Sequence, residues 1–344
     1  MTNGRVTGVR SVELGVRDLH QSAEFYTKVW ALEPVSPEGD GMHFRATGGE
    51  HHVLTIRERP KPALLGVHFS ANDRAAVDAL CAKARSYGVD VENDPAPLDR
   101  SAGGGYGFRF LTPDGLPMSI SADLVQHPSI VLDRSRPTKI SHVVLNSART
   151  DDQVPFFIDV LGFKVSDSTH MMEFLRCSAD HHSVAIFRNN GPSLNHVAYE
   201  LPNMDGLMRG TGRVKQSGFE IAWGIGRHGP GSNVFSYFIE PNGFVAEYTT
   251  ELDQLDDATH VPQGASYWQK IMPNPDRWGL AGPPSNRMRA AMSGALYLGD
   301  RELSNALAGD ARCEDIIRDK AKGLLTQRTG EQNTFDDKFA FGTE

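Results

Sequence analysis

Cysteine is scarce in this chain of 344 residues. Cys81, Cys177 and Cys313 are odd in number, far apart and without a CxxC spacing. They argue against a disulfide framework or a cysteine-bound zinc, and they fit a reducing cytoplasm. No run of about 18 apolar residues occurs, so no stretch reads as a transmembrane helix. The opening from Met1 to Ser11 lacks the apolar core of a signal peptide. A basic excess is missing too. Lys and Arg total 35 against 43 Asp and Glu, a net charge of -8 with no long basic run. Nucleic acid and anionic membranes are therefore poor partners.

What is present is ordinary for a globular protein: 39% hydrophobic and 23% charged residues. The length suits about two domains and an appendage. Internal repetition then sets the organisation. Val9–Leu19 followed by Ala23–Leu32 reads like Lys139–Ser147 followed by Pro155–Phe163. Each is an alternating strand, a loop and an amphipathic helix. Phe25 answers to Phe156, and Leu32 to Phe163. Phe108–Ser119 likewise repeats as Ser236–Glu247, and Asp114-Gly115 and Asn242-Gly243 mark tight hairpins. Asp73 to Tyr87 and Met204 to Ser217 read as the second helix of each unit.

The fold class expected is α+β, in two tandem modules over residues 1–126 and 137–250. A polar, proline-containing linker from His127 to Thr138 joins them. The extension over 251–344 is rich in proline at its start and carries a possible helix from Asp315 to Thr326. It reads as loops and helices packed over the second module.

The modules differ where chemistry is concerned. The second places His142, His196 and Glu247 on apolar strands, where a polar side chain is costly without a partner. The first has Ser11 at the position of His142, Ser119 at that of Glu247, and Gly66 as the best match for His196. Two histidines and a carboxylate make the facial set that suits Fe(II) or Mn(II) and leaves positions open. Each residue alone would read as a hydrogen-bonded core group.

Further signals follow in order: His182-Ser-Val-Ala, His196-Val, Arg227-His228-Gly229, Tyr237-Phe238, Pro241-Asn-Gly243 and Glu247. With His142, this pattern resembles the type I extradiol ring-cleavage dioxygenases of the vicinal oxygen chelate superfamily, of the catechol 2,3-dioxygenase and 2,3-dihydroxybiphenyl 1,2-dioxygenase kind. The resemblance covers about residues 7–250 and is strongest from 139 to 250. It implies two modules of paired βαβββ units, with metal only in the second. It also implies Fe(II), or Mn(II), on His142, His196 and Glu247, and catalytic roles for His182, His228 and Tyr237. The implied reaction opens a catechol-type ring beside the diol and inserts both atoms of O2. The implied setting is a homo-oligomer in the cytoplasm.

His181 is adjacent to His182 and competes for its role; the following Val-Ala favours His182. Trp223 reads either as a pocket wall or as a core residue. Arg277, Arg287 and Arg289 read as solvated charges, with contact to a substrate carboxylate as the alternative. Two rival functions stay open: a metal-dependent lyase or epimerase on the same scaffold, and a non-catalytic small-molecule binding module.

Overall fold

The structure, a computed structural model, describes residues 4–38, 41–128, 133–272 and 274–294. The possible helix from Asp315 to Thr326 and Cys313 lie outside the described residues. Cys81 and Cys177 are both free and buried.

The first module runs β1 (Val6–Val16), α1 (Leu19–Glu24), β2 (Glu33–Glu38), β3 (Gly41–Arg45) and β4 (Leu54–Glu58). It then runs β5 (Ala63–Ala71), α2 (Arg74–Tyr87), β6 (Ala96–Pro97), β7 (Tyr106–Leu111) and β8 (Pro117–Ala122). This is βαβββ twice. The second module repeats it as β9 (Lys139–Ser147), α3 (Thr150–Asp159), β10 (Lys164–Ser168), β11 (Met172–Arg176), β12 (Val184–Arg188), β13 (Ser193–Glu200), α4 (Met204–Gln216), β14 (Trp223–Arg227), β15 (Val234–Ile239) and β16 (Val245–Thr250). Two short helices follow, α5 (Ala265–Ile271) and α6 (Asn286–Met292).

Each module is one eight-stranded sheet, ordered β2-β3-β4-β1-β5-β8-β7-β6 and β10-β11-β12-β9-β13-β16-β15-β14. The middle pair is antiparallel, and each of its strands has a parallel partner outside it. Local chemistry sets the helix ends. The Asp73 side chain accepts from the Ala76 N–H to start α2, and Gly88 at φ +93° ends it. Asn203 caps α4 in the same way. The turns with Asp114-Gly115 and Asn242-Gly243 do join strands, but through longer loops than a two-residue hairpin. Thr112 N–H reaches Leu116 O at 2.9 Å, and Glu240 N–H reaches Phe244 O at 2.9 Å. The glycines there take φ +83° and +92°, which a side chain would strain.

Helices, strands and the turns after helices all carry aromatic residues into a core shared by both modules. Trp30, Phe69, Phe156, Phe157 and Phe163 are buried in it. Each such side chain contributes about 1.5–3 kcal/mol by leaving water. The modules are also tied by hydrogen bonds: Arg17 N–H to Asn242 Oδ1 at 3.0 Å, and Val6 N–H to Leu161 O at 2.9 Å. Among the described residues, no helix is long and apolar enough to cross a membrane.

Candidate metal centre and active site

Strand register brings the sequence signals together. Ala198 on β13 pairs with His142 on β9 and with Glu247 on β16. Side chains two residues apart share a face, so His196 joins the other two on the same side. Ala198 lies between them and is small enough to leave room. The three candidate ligands are buried at 2%, 4% and 0% exposure.

His142 Nε2 and His196 Nε2 each lie 3.2 Å from Glu247 Oε2. One ligand atom from each residue falls within 4.8 Å of the others. His196 Nε2 and Glu247 Oε2 are buried without a hydrogen-bond partner. Orphaned polar atoms are costly, and a divalent metal accepting their lone pairs relieves the cost. The residues therefore fit the metal implied by the sequence. Burial works against charge on Glu247, but His142 and His196 outweigh it and hold the carboxyl well below the usual carboxylate range.

Outer contacts aim these groups. His196 Nδ1 donates to Asn195 Oδ1 at 2.8 Å, which leaves Nε2 as a lone pair. Asn195 Nδ2 donates to Asn146 Oδ1 at 3.0 Å, and Asn146 Nδ2 to the Met292 carbonyl at 2.8 Å. Asn233 Nδ2 donates to Glu247 Oε1 at 3.3 Å. Asn146, Asn195 and Asn233 were not singled out from sequence. For Asn146 and Asn195 a signal was present, amides on apolar strands near a candidate ligand; Asn233, just before β15, carried none.

A cavity of about 470 Å3 opens beside the three residues, within the range of small-ligand sites. His182 and His228 line it, as does Tyr237. The ring centroid of His182 is 4.2 Å from that of His142. Burial, helped by the neighbouring histidines, drives the pKa of His182 well below its ordinary value, so the ring is neutral. Tyr237 Oη lies 2.8 Å from His228 Nε2. Burial pushes His228 down to about 4, and its backbone partner is Pro275. The Pro275 carbonyl can only accept, so the bonded His228 Nδ1 donates and its Nε2 accepts from Tyr237. Burial raises the Tyr237 hydroxyl well above its ordinary range, with Glu247 adding to the shift.

His181 does not line the cavity; it turns to Asp167 at 3.0 Å. Trp223 does line it, stacked on Tyr237 at 5.1 Å. The remaining wall is apolar, with Val144, Met171, Met172 and Phe174 on one side.

The extension closes the other side with Met272, Pro275, Pro284 and Met292. Arg289 also lines the cavity, whereas Arg277 N–H is tied to the Arg227 carbonyl. Asp276 anchors this strap. Its carboxylate accepts backbone N–H groups from Arg227 at 2.8 Å, Trp278 at 3.0 Å, Leu280 at 2.7 Å and Ala281 at 2.8 Å.

The first module holds an ion network where the second has its ligands. Register puts His68 beside Ser11 and Ser119, the place of Ala198. His68 Nδ1 is 2.5 Å from Ser119 Oγ, and its Nε2 is 3.5 Å from Glu13 Oε2. Arg57 also pairs with Glu13. No ligand set like that of the second module occurs there among the described residues.

Comparison with known proteins agrees with this architecture. Metapyrocatechase 2 of Cupriavidus necator is 29% identical over 136 residues, 39% of this chain and 42% of that protein. The chain thus spans less than half of that relative. Biphenyl-2,3-diol 1,2-dioxygenase of Metapseudomonas furukawaii is 25% identical over 293 residues, covering 80% of this chain and 93% of the relative. Among solved structures, a Mn(II)-bound glyoxalase from Novosphingobium aromaticivorans is 42% identical with a TM-score of 0.77, covering 82% of this chain and 94% of the other. Residues 8–120 and 139–248 match the family model described as Glyoxalase/Bleomycin resistance protein/Dioxygenase superfamily. The repeated sheets and these two matched segments place the chain in that superfamily.

Proposed function

We propose that this protein is an extradiol dioxygenase that opens a catechol-type ring beside its two hydroxyls and inserts both atoms of O2. The metal is Fe(II), with Mn(II) as the alternative, held by His142, His196 and Glu247. One observation carries the reading. A single cavity has three convergent buried ligand atoms, His182 on one side, and the His228–Tyr237 pair on the other.

The bound metal would supply Lewis acidity toward the ring oxygens and a template for diol and O2. The protein groups do the rest. Neutral His182 accepts a proton from a ring hydroxyl and later returns it. Tyr237 stays protonated with its one hydrogen on His228 Nε2, so its oxygen is held in place to accept from a substrate hydroxyl. The methionines, Phe174 and Trp223 exclude water and receive the ring. Two free buried thiols support a cytoplasmic setting. Self-association of the chain belongs to the same proposal and is testable by sedimentation.

A second reading is a Mn(II)-dependent lyase, favoured by the 42% identity to the Mn(II)-bound glyoxalase. Oxygen uptake decides between them. Anaerobically purified, Fe(II)-loaded protein is offered a panel of vicinal diols while visible absorbance is followed. Uptake with a yellow product supports ring cleavage. Tight metal binding without uptake favours the lyase.

A further inference from the structure

His182 has only one ring edge free for the cavity. Its Nδ1 lies 3.1 Å from Nδ1 of His181. Nε2 of His181 lies 3.0 Å from Oδ2 of Asp167 on β10. The other carboxylate oxygen of Asp167 accepts the Gln263 backbone N–H at 2.7 Å. Asp167, His181 and His182 are only 3%, 2% and 3% exposed. Water therefore does not compete for these bonds.

The protons of this chain can be placed by elimination. An ionised carboxylate only accepts, so His181 carries its proton on Nε2. A neutral His181 then offers a lone pair at Nδ1, and the facing Nδ1 of His182 must donate. The buried Nδ1-to-Nδ1 contact takes one donor and one acceptor, since no water is there to bridge two like edges.

We infer that Asp167 and His181 are positioning residues that lock His182 in its Nδ1–H tautomer, with the Nε2 lone pair turned to the cavity. His182 then meets the substrate as a proton acceptor, a consequence that rests on the dioxygenase reading. The first module supplies an internal comparison. Its His51 and His52 repeat the Nδ1-to-Nδ1 approach at 3.1 Å. Register pairs Asp167 with Phe174 and Ser36 with His43, so a serine holds the carboxylate's strand position there. The histidine pair is common to both modules. At that strand position the carboxylate occurs in the module with the ligand set and not in the other.

Asp167→Asn tests this at constant shape. The Gln263 N–H keeps the amide oxygen on its own side, so the amide NH2 faces His181. His181 must then accept at Nε2, carry its proton on Nδ1 and donate to His182, which is left with Nε2–H. Histidine-selective 15N NMR on the metal-free protein reads these tautomers directly. The wild type should show His182 protonated at Nδ1, and Asp167→Asn should show it protonated at Nε2. In the Fe(II)-loaded enzyme, kcat should fall by about tenfold or more, as wrong-tautomer substitutions do elsewhere. KM for the diol and metal content should not change.

His181→Phe is the second variant. It should leave His182 as a mixture of tautomers, with an intermediate loss in kcat. A wild-type His182 protonated at Nε2, or an Asp167→Asn protein with unchanged tautomer and kcat, would overturn the inference. The NMR result needs neither metal nor substrate. A wild type that consumes no O2 with any diol would sink the dioxygenase reading and leave the tautomer assignment standing.

Discussion

Trp30 of the first module lies flat on Tyr248 of the second, with ring centroids 3.9 Å apart and planes at 19°. The Tyr248 hydroxyl donates to the Trp30 carbonyl at 2.7 Å. Tyr248 follows Glu247 on β16, so its ring points to the opposite face of the strand. The bare module thus braces the strand that delivers the candidate carboxylate ligand. Trp30→Ala should cost about 3–5 kcal/mol through lost burial and a cavity. It should also lower metal retention. Thermal unfolding and metal analysis after dialysis check both, and a wild-type profile in each would contradict the bracing role.

Removing a ligand should remove the metal. Glu247→Ala leaves two histidines without their shared anion, and metal content should drop to background. Asn195→Ala keeps all three ligands but frees the orientation of His196; metal affinity should fall about 10–100-fold. Titration monitored by metal analysis separates the two cases. Full occupancy in Glu247→Ala would refute the ligand assignment.

His182→Phe should behave differently. Phenylalanine keeps a planar ring of similar size without the two nitrogens, and no candidate ligand is removed, so metal content should match the wild type. Turnover should slow by about 10²–10⁴-fold with loss of the proton acceptor. Unchanged oxygen uptake would eliminate His182 from the mechanism.

His228 links stability to pH. Its pKa is pushed down to about 4, chiefly by burial, from an ordinary value near 6.5. The unfolded chain therefore takes up a proton before the folded one does. The associated stability is fully present above pH 6.5 and is lost as pH falls to 4, by about 3 kcal/mol. His228→Phe lacks this proton uptake. The stability difference between wild type and variant should shift against the wild type by that amount across this window. Denaturant titrations at several pH values measure it, and a constant difference would show that His228 is not the group responsible.

Asp276→Ala should loosen the strap. Four backbone N–H groups lose their acceptor, and the Pro275 carbonyl loses its fixed place against His228. KM for the diol should rise while metal content holds, since no metal-binding residue is touched. Hydrogen exchange over residues 274–282 should accelerate. An unchanged KM together with unchanged exchange would show that other contacts hold the strap.

Much of this was legible in the chain. His142, His196 and Glu247 announced themselves as polar groups on strongly apolar strands, where only a partner or a metal makes burial tolerable. The duplication was visible because each βαβββ unit repeats its hydrophobic period and its turn residues. Helices α2 and α4 were expected within a residue or two of where they form, and the structure shows Asp73 and Asn203 capping them. The choice of His182 over His181 rested on the residues that follow it, and the structure places His182, not His181, on the cavity wall.

The rest depends on contacts between residues far apart in sequence, and periodicity carries no information about those. The extension was expected to pack over the second module, but nothing in its sequence said which of its residues meet the cavity. Met272, Pro275 and Arg289 reach the site only because Asp276 folds the strap back onto β14. Asp167 carried no signal in the sequence, and only the fold brings it on β10 beside His181. Sequence alone determined which residue types could hold a metal and on which strands they lie, because burial cost and strand period are local properties. Tertiary structure alone decided how His181 and His228 are turned, because Asp167 and the Pro275 carbonyl come from distant segments and fix where the ring protons sit.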